Sequence, residues 1–380
     1  MLPDDLPRDC DVVVVGAGVA GAVSALHLAR SGLRALLVEK SAWPREKTCG
    51  GCLNAAALHA LADAGIELND GRDYTRMRLA CGARAAEFPL PRGLAISRKR
   101  LDAILVEHAI RAGVCFASET RASLGDSTRH GREVMLRKGS NRSVVSARAV
   151  LDCGGLDSRL LPDVEWRIAP RARIGVGAAV RDVPAWYQTG VIHMACAARG
   201  YVGLVRAEDG FTNVAAALDP AWCSEAGGPA RAIAQILGSS GFPVLDGLHE
   251  AHWHGTPHLT RARRALGTRR VLVLGDAAGY VEPFTGEGMA WGIADAAAVA
   301  PLVREAVADW NDDVIAHWRA LHARNVRARQ RVCRGVSKLL RRPRLLAAAL
   351  PLMHIAPALV SPLSAWLNRD FRPAATVQYK

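Results

Sequence analysis

Apolar residues near the start of the chain form two short continuous runs on either side of a segment with helical spacing. The first run is the four valines at 12–15, which lead directly into a glycine-rich turn. An amphipathic segment follows, and the second run ends at Glu39. Continuous apolar runs are typical of buried parallel strands, and amphipathic spacing is typical of a helix packed on them. The pattern predicts a strand, a helix and a second, parallel strand.

The turn between the first strand and the helix reads Gly-Ala-Gly-Val-Ala-Gly at 16–21. Gly16 permits the tight turn, Gly18 lets the backbone approach a pyrophosphate, and Gly21 lets the helix lie close to the strand. The helix N-terminus then faces the phosphate charge. Glu39 lies 18 positions after Gly21, close to the usual spacing for a carboxylate that binds ribose hydroxyls. Together these features predict that the unit binds an adenine dinucleotide.

The rest of the pattern predicts that a second sheet interrupts this first lobe. Helical spacing occurs at 54–65 and 98–113, and strand-like runs occur at 114–118 and 144–151. From about 174 to 218 the residues alternate as in antiparallel strands, with Asp209-Gly210 as a hairpin turn. A buried strand at 269–274, an apolar helix at 288–307 and a basic helix at 310–340 follow.

We therefore predict an α/β fold in which a Rossmann-type lobe is interrupted by an antiparallel β-sheet lobe, with helices at the C-terminal end. The nucleotide-binding lobe is assigned residues 1–73, 98–156 and 261–310. The substrate lobe is assigned residues 74–97 and 157–260, and a basic and apolar helical segment is assigned residues 311–380.

Composition limits the class of protein. A chain of 380 residues with 50% hydrophobic residues can bury a large core and is not a disordered protein. Its nine cysteines are scattered, which favours a reduced, cytoplasmic protein over a disulfide framework. The first ten residues are polar and acidic, so we expect no signal peptide.

The formal net charge is +13, and much of the excess positive charge lies late in the chain, between residues 319 and 344. Such a stretch is either a solvated helix face or a surface for anionic lipid headgroups or an acidic carrier protein. The second interpretation would place a cytoplasmic protein at the periphery of the membrane. Nucleic acid is not expected, because no recognised binding motif accompanies the charge.

An uncharged apolar stretch follows at 345–367 and is long enough to span a bilayer. Pro351, Pro357 and Pro362 recur every five or six residues, and each removes a backbone hydrogen-bond donor. We therefore expect broken helices that pack over an apolar pocket, in preference to helices at a membrane interface or a true span.

A second glycine-rich motif, GDAAGYVEPFTGEG, occupies residues 275–288 directly after the predicted strand at 269–274. Asp276 stands where a carboxylate could bind the hydroxyls of a ribityl chain. Pro283, Gly286 and Gly288 form a bare loop that leads into a helix. Backbone N–H groups at such a helix start can stabilise the edge of a ring that becomes anionic on reduction.

These motifs resemble those of the flavoprotein superfamily of geranylgeranyl reductases, aromatic hydroxylases and flavin-dependent halogenases. The resemblance rests on GAGVAG, on Arg98-x-x-Leu101-Asp102, on LDCGGLDS at 151–158 and on GDAAGYVEPFTGEG. The segment PREKTCGGCL at 44–53 is similar to that of the reductase branch. The resemblance implies the p-hydroxybenzoate hydroxylase-like fold and FAD as the cofactor, with NAD(P)H or a separate reductase as the electron donor.

The resemblance also implies roles for individual residues. In the ADP half of the FAD site these are Gly16, Gly18, Gly21 and Glu39, with Arg45 and Arg98 at the pyrophosphate or ribose and Asp276 at the ribityl or pyrophosphate region. Near the flavin ring they are Cys49, Gly50, Gly51, Pro283, Gly286, Gly288 and Met289. Lys40 is a further predicted cofactor-binding residue. Cys49 is also a candidate proton source in catalysis.

Departures from the family patterns narrow the reaction. No tryptophan has another two positions away, so halogenation is not expected. The strand that starts at Tyr201 lacks the Trp and Phe-Pro of the isoprenoid-reductase branch. The resulting prediction is a monooxygenase that hydroxylates an apolar aromatic or polyketide-type substrate through a flavin C4a-hydroperoxide, a secondary-metabolism reaction. The alternatives are a reductase of isoprenoid or other C=C bonds and, from another class, a membrane-associated flavin electron carrier.

Two further clusters have alternative interpretations. Cys49 and Cys52 form a CxxC pair that is either a redox dithiol or two small packed residues. The histidines at 249, 252, 254 and 258 suggest a metal site, but we interpret the segment as loop and predict no bound metal.

Overall fold

The computed structural model describes residues 6–161, 163–181, 183–282, 284 and 286–371 of the 380-residue chain. Its strands, in chain order, are β1 Asp9–Val15, β2 Ala35–Val38, β3 Cys52–Leu53, β4 Arg72–Cys81, β5 Arg84–Ala95, β6 Cys115–Ala117, β7 Arg121–Ser127, β8 Arg132–Lys138, β9 Asn141–Asp152, β10 Trp166–Ile168, β11 Ile174–Val180, β12 Val191–Ala197, β13 Gly200–Arg206, β14 Thr212–Leu218, β15 His254–His258, β16 Arg261–Arg263, β17 Gly267–Thr268, β18 Val271–Val273 and β19 Gly279–Tyr280.

Ten α-helices accompany these strands in the described part of the chain. They are α1 Val19–Arg30, α2 Ala55–Asp63, α3 Arg98–Arg111, α4 Pro220–Glu225, α5 Pro229–Ser239, α6 Gly288–Ala306, α7 Asp313–His322, α8 Ala328–Leu340, α9 Pro343–Ile355 and α10 Ser361–Leu367. A π-helical turn, Ala323–Arg327, joins α7 to α8. The basic helix predicted at 310–340 is therefore present, but its hydrogen-bonding pattern changes in the middle.

The first sheet contains a parallel core in the order β18-β9-β1-β2-β6. Val12, Val13 and Val14 are fully buried because helices cover one face of this sheet and other elements the opposite face. Helix α1 packs between α3 and α6. The predicted strand–helix–strand unit at the N-terminus is confirmed, with β1 and β2 parallel and in register from Val12 with Ala35.

The second sheet has the order β15-β11-β14-β13-β12-β4-β5-β3. Its pairs are antiparallel except for β12 and β4, which run parallel because β4 comes from an early segment of the chain inserted beside the later strands. The predicted hairpin between β13 and β14 is confirmed: Asp209 and Gly210 have φ of 56° and 74°. Two left-handed residues match the twist that a hairpin requires.

The two faces of the second sheet have different neighbours. One face packs on α5, with Val202, Leu204 and Ile233 in a shared cluster. The opposite face packs on α8 and α9 through Tyr201, Leu340 and Leu350. Period-two alternation along β13 places Tyr201 and Val202 on opposite faces, as expected for a strand covered on both sides. The C-terminal helices therefore form one wall of the space beside this sheet.

The apolar stretch at 345–367 forms α9, a short 3-10 turn at Pro357–Leu359, and α10. Leu346 and Leu350 on α9 are almost completely buried, whereas Leu352 and Ile355 are 58% and 81% exposed, so one side of this stretch packs within the fold and the other does not. Among the described residues, no helix combines the length and the apolar character needed to cross a bilayer. Residues 1–5 of the predicted nucleotide-binding lobe and residues 372–380 of the predicted C-terminal segment lie outside the described residues.

Two local predictions were wrong or incomplete. The segment at 249–258 was predicted as loop, but His254–His258 pairs with β11 as the edge strand of the second sheet. An edge position tolerates Pro257, which cannot donate to a ladder on both sides. The hairpin formed by β7 and β8 was not predicted, because its buried positions alternate with charged residues over only a few positions.

Candidate cofactor and substrate site

A cavity of about 1040 Å³ lies between the carboxyl ends of the first sheet and the inner face of the second sheet. In an open α/β sheet this is the edge at which ligands bind. The cavity brings together most of the residues predicted to form the site. They are Gly16, Gly18, Glu39, Lys40, Arg45, Cys49, Gly50, Gly51, Arg98, Asp276, Gly286, Gly288 and Met289. Gly21 lies behind the wall, and Pro283 lies outside the described residues.

The glycines of the first motif have distinct geometric roles. Gly16 has a φ of 103°, and a Cβ at this position would lie 2.5 Å from the carbonyl oxygen of Cys153. A Cβ on Gly21 would lie 1.8 Å from the carbonyl oxygen of Gly16, so only glycine allows α1 to approach β1 this closely. Gly18 faces the cavity, and a Cβ there would lie 3.4 and 3.5 Å from the guanidinium ends of Arg98 and Arg45.

Glu39 follows β2 and is 4% exposed. Its carboxylate accepts hydrogen bonds from the backbone N–H groups of Ala17 at 3.1 Å and Ser41 at 3.0 Å. Burial opposes ionisation, but the Arg45 guanidinium at 3.1 Å and these N–H groups outweigh it, so the pKa of Glu39 is lowered. Glu39 is thus an ionised acceptor beside the turn at which a ribose would be bound.

Cationic groups converge in front of Gly18 and the start of α1. Arg45 Nη1 lies 3.2 Å from Asp102 Oδ2, and Arg98 Nη2 lies 2.9 Å from the same oxygen. Burial alone would lower the pKa of Arg98, but the Asp102 carboxylate raises it, so this guanidinium is always charged. Two guanidinium groups held by one buried carboxylate at a helix N-terminus form a site suited to a pyrophosphate.

Lys47 is a third cation in this group, and the sequence analysis did not select it. Its Nζ lies 3.9 Å from Asp276 Oδ2 and close to Gly155 and Gly18. Burial and the neighbouring Arg98 lower the pKa of Lys47, while Asp276 opposes that shift. The signal was present in the sequence, since Lys47 stands between Arg45 and Cys49 in a segment already singled out.

Lys40 and Asp276 complete the polar half of the cavity. Lys40 Nζ lies 2.6 Å from Asp157 Oδ2 at the cavity rim, where both side chains are about half exposed. Asp276 follows β18 in a short 3-10 turn and faces the cavity. Its position between the pyrophosphate-binding cations and the second glycine motif agrees with a carboxylate that binds the ribityl region.

The far end of the polar half is built from bare backbone. Gly51 has a φ of 69°, and a Cβ there would lie 2.6 Å from the Ile96 carbonyl oxygen. Gly286 has a φ of 70° and faces Cys52, and Gly288 packs against the Tyr280 ring. Helix α6 begins at Gly288, so its N-terminal N–H groups are directed at this part of the cavity. A planar ring that becomes anionic on reduction fits this position.

Glu287 anchors the loop before α6 and was not selected from the sequence as a site residue. It is 1% exposed and accepts hydrogen bonds from Asn54 at 2.6 Å, Trp291 at 3.1 Å and Arg329 at 3.0 Å. Burial raises the pKa of Glu287 more than these donors lower it. Arg329 also donates to the backbone carbonyl of Leu367 at 2.6 Å. The network therefore ties α8 and α10 to the loop that carries Gly286 and Gly288.

The two cysteines of the CxxC pair line the cavity as free thiols. Cys49 Sγ accepts from Gly51 N at 3.4 Å, and Cys52 Sγ donates to the Gly50 carbonyl at 3.6 Å. Burial raises the pKa of the Cys52 thiol. Cys52 is therefore held protonated and is a poor nucleophile, which favours the packing interpretation for this residue.

The other half of the cavity is apolar. The inner face of the second sheet, α9 and α10 contribute Leu79, Phe88, Ile192, Met194, Val205, Leu346, Met353 and Leu363, among others. Every Asp, Glu, Lys and Arg among the described lining residues belongs instead to segments 39–47, 98, 121, 157–159 and 276, beside the first sheet. On the second sheet the one lining imidazole among the described residues is that of His254, on the edge strand. This half fits a neutral, apolar ligand.

Three tyrosines among the described residues line the cavity, and one of them, Tyr74, donates its hydroxyl hydrogen to the Leu53 carbonyl at 3.0 Å. Tyr201 is 4% exposed, lines the cavity and packs edge-on against Phe284, and its hydroxyl has no hydrogen-bond partner among the described residues. Tyr280 lines the cavity beside Gly288. Burial raises the pKa of the Tyr201 and Tyr280 hydroxyls well above that of a free tyrosine, so both remain protonated. The sequence identified the strand of Tyr201 but not the unpaired hydroxyl.

No group of three or more His, Cys, Asp or Glu side chains that could hold a metal ion is found among the described residues. In the histidine-rich segment, the rings of His252 and His254 lie 5.9 Å apart, and the His254 carbonyl accepts from Thr48 Oγ1 at 2.9 Å. The segment supports the loop that carries Cys49.

The geometry of the polar half suits FAD. A glycine turn that a Cβ would fill lies at one end, three cations lie in front of a helix N-terminus, and a bare loop at a second helix N-terminus lies at the other. The residues that would hold the group fall into three sets: Gly16, Gly18 and Glu39 for the ADP half, Arg45, Lys47 and Arg98 for the phosphates, and Gly51, Gly286 and Gly288 for the ring.

Comparisons with known proteins agree with this fit. A family model described as an FAD binding domain matches residues 9–316. A digeranylgeranylglycerophospholipid reductase of Methanothermobacter thermautotrophicus is 29% identical over 302 residues, which are 73% of this chain and 74% of the relative. Menaquinone reductase of Mycobacterium tuberculosis is 25% identical, and the match covers 95% of this chain and 93% of the relative.

A solved flavin-dependent brominase superposes with a TM-score of 0.78 at 16% identity, covering 95% of this chain and 93% of that chain. At this identity the likeness concerns the fold alone. The α/β fold class and the superfamily resemblance inferred from the sequence are both confirmed. The chain belongs to the FAD-binding domain family and is an FAD-dependent oxidoreductase.

Proposed function

We propose that the protein is a flavin-dependent reductase that saturates carbon–carbon double bonds in a long, neutral, isoprenoid-type lipid. The observation that carries this proposal is the charge-free half of the cavity, where the titratable hydroxyls of Tyr201 and Tyr280 are both held protonated. An isolated double bond needs a hydride and a proton, and it offers no charge to bind. An apolar wall with protonated donors matches both requirements.

The residues divide the work. FAD, when bound and reduced by a donor such as NAD(P)H, supplies the hydride. The second sheet, α9 and α10 hold the chain of the lipid and exclude water from the reacting carbons. Tyr201 Oη holds a proton that it would donate to the second carbon of the double bond, and water that enters after the product leaves would restore that proton. Cys49, at the polar end, is the other candidate donor.

The named relatives support this choice. The archaeal relative is a reductase of a digeranylgeranyl lipid, and the mycobacterial relative is a menaquinone reductase. The segment PREKTCGGCL, which is similar to that of the reductase branch, forms the cavity wall from Arg45 to Cys52. The absence of Trp and Phe-Pro after Tyr201 leaves Gly203 and Val205 facing the cavity, which widens the space for a substrate.

The monooxygenase predicted from the sequence is the second candidate. The observation that favours it is the unpaired hydroxyl of Tyr201, which has no partner among the described residues and could donate to a phenolic oxygen as well as to a carbon. The two reactions use one fold and differ in whether reduced flavin reacts with the lipid or with oxygen.

Product analysis separates the two reactions. The FAD-loaded protein, supplied with NADPH, would be incubated with a geranylgeranyl-chain lipid and, separately, with a long-chain alkylphenol, each with and without oxygen. We expect the prenyl lipid to gain pairs of hydrogens in mass spectra, with or without oxygen. Gain of a single oxygen atom by the alkylphenol, in air only, would establish the hydroxylase instead.

A further inference from the structure

The end of the chain has an unusually one-sided charge. Residues 314–369 contain no Asp or Glu and eleven Lys or Arg residues. Several of the cations are used internally: Arg329 pairs with Glu287, and Arg341 pairs with the buried Glu282. Others, including Lys338, Arg342 and Arg344, are exposed around the start of α9. A basic rim therefore surrounds one end of this helix.

Helix α9 is apolar on both sides. Leu346 and Leu350 face the interior at 2% and 0% exposure. Helical spacing places Leu345, Leu352 and Ile355 on the opposite side, at 51%, 58% and 81% exposure. A helix that is apolar all round is normally buried on all sides, so this outer side lacks the cover that its composition calls for.

The exposed apolar surface continues beyond α9. Leu359 follows it at 59% exposure, while Leu339 and Leu363, at 42% and 41%, stand at the rim, since both also line the cavity. Six of the eleven large apolar side chains exposed among the described residues thus lie between 339 and 363. Such a concentration marks an interaction surface, whereas single exposed leucines do not.

The same segment is also the wall of the cavity. Leu346, Met353, Val360 and Leu363 line the apolar half from the inside. One thin layer of helix therefore separates the space for the substrate from the exposed apolar surface. An apolar layer with a basic rim is complementary to a bilayer with anionic headgroups, in which acyl chains lie beneath the negative charge.

We propose that the outer side of α9, the turn at 357–359 and the start of α10 form a docking surface for an anionic phospholipid bilayer. Leu345, Leu352 and Ile355 would insert below the headgroups, and Arg342 and Arg344 would contact the phosphates. The protein lies on the membrane through α9 and does not span it there, since α9 has 13 residues. The surface itself does not depend on which reaction the flavin carries out.

Vesicle sedimentation tests the surface independently of catalysis. The FAD-loaded full chain would be mixed with vesicles of pure phosphatidylcholine or of phosphatidylcholine with phosphatidylglycerol. We expect binding to the anionic vesicles that weakens as salt is raised, because exposed charges are screened. Arg342→Glu with Arg344→Glu should lower the binding constant by at least about fivefold for each residue. Leu352→Glu with Ile355→Glu should lower the binding constant for anionic vesicles further, and should also lower any binding to vesicles of pure phosphatidylcholine.

Matched controls keep the test specific. One control replaces two other exposed apolar residues of the first lobe, Ile110→Glu with Val144→Glu. A second control replaces two exposed arginines of the same lobe, Arg111→Glu with Arg137→Glu. These controls should bind as the wild type does. Retained FAD absorbance and an unchanged melting temperature establish that each variant is folded.

Three results would overturn the proposal: no binding of the wild type to anionic vesicles, unchanged binding by the Leu352 and Ile355 variant, or equal losses in the controls. Sedimentation velocity covers the other occupant, a second copy of the chain. A dimer that the Leu352 and Ile355 substitutions dissociate, without vesicle binding by the wild type, would assign the surface to self-association.

Discussion

Replacing Tyr201 by phenylalanine should make the protein more stable and less active. The hydroxyl is buried and has no hydrogen-bond partner among the described residues, so the folded protein loses the hydration of that group without compensation. An unsatisfied buried polar group costs about 1–3 kcal/mol. Tyr201→Phe removes that cost and keeps the ring contact with Phe284 at 5.3 Å. The free energy of unfolding of the FAD-free protein should rise by about 1 kcal/mol.

The activity should change in the opposite direction. A side chain that transfers a proton in the transition state contributes roughly 10²–10⁴ in rate. The substitution should therefore lower kcat for lipid reduction by about 10² or more while the affinity for FAD stays the same. Because burial raises the pKa of Tyr201 well above 10, the wild-type rate should show no tyrosine ionisation below about pH 10.

Tyr187 provides a matched control on the opposite face of the same sheet. Its hydroxyl is also buried, but it donates a hydrogen bond to the carbonyl of Pro243. Tyr187→Phe should lower stability by about 1 kcal/mol, because the carbonyl then lacks its donor. Urea titrations of both variants give the free energies. A Tyr201→Phe protein that is less stable than the wild type would show that this hydroxyl is not unsatisfied. A variant that keeps full activity would show that the hydroxyl is not the proton donor.

Three further changes test other parts of the site and fold. Gly21→Ala should lower FAD retention and should lower the free energy of unfolding by about 1–3 kcal/mol, because its Cβ would lie 1.8 Å from the Gly16 carbonyl oxygen. The control Gly335→Ala has open space around it and should be neutral or stabilising. Equal melting temperatures for the two variants would contradict this. Lys47→Met should weaken FAD binding with a smaller salt dependence, measured by fluorescence titration, and an unchanged dissociation constant would remove Lys47 from the phosphate site. Burial lowers the pKa of His193 to about 4, so on acidification the unfolded chain takes up a proton before the folded protein does, and stability should fall as the pH drops from 6.5 to about 4. In urea titrations, His193→Phe should reduce the dependence of the unfolding free energy on pH. An unchanged dependence would show that His193 is not its source.

The sequence was informative where backbone geometry alone decides the structure. Gly16 and Gly21 are needed because a Cβ would collide with backbone atoms, and such constraints leave a spaced motif that can be recognised. The valines of β1 are buried on both faces, which produces an unbroken apolar run. The strands between 174 and 218 are likewise covered on each side, so most of their positions are apolar.

Residues that act through distant partners were harder to find. Glu287 accepts hydrogen bonds from Arg329, 42 positions away in the sequence, and from Asn54, 233 positions away. No local sequence pattern predicts these contacts. The hydroxyl of Tyr201 is unpaired because no described neighbour offers it a hydrogen-bonding group, and the sequence around Tyr201 does not reveal that. The edge strand at His254–His258 has few apolar residues, because pairing on one side and exposure on the other impose little alternation.

Whether reduced flavin in this protein reacts with an apolar lipid can be measured directly. The FAD-loaded protein would be reduced under anaerobic conditions and mixed with a geranylgeranyl-chain lipid in a stopped-flow instrument while the flavin absorbance is followed. We expect the flavin to be reoxidised without oxygen, at a rate that rises with lipid concentration. A flavin that stays reduced at every lipid concentration, and is reoxidised only when oxygen is admitted, would show that the lipid is not its oxidant.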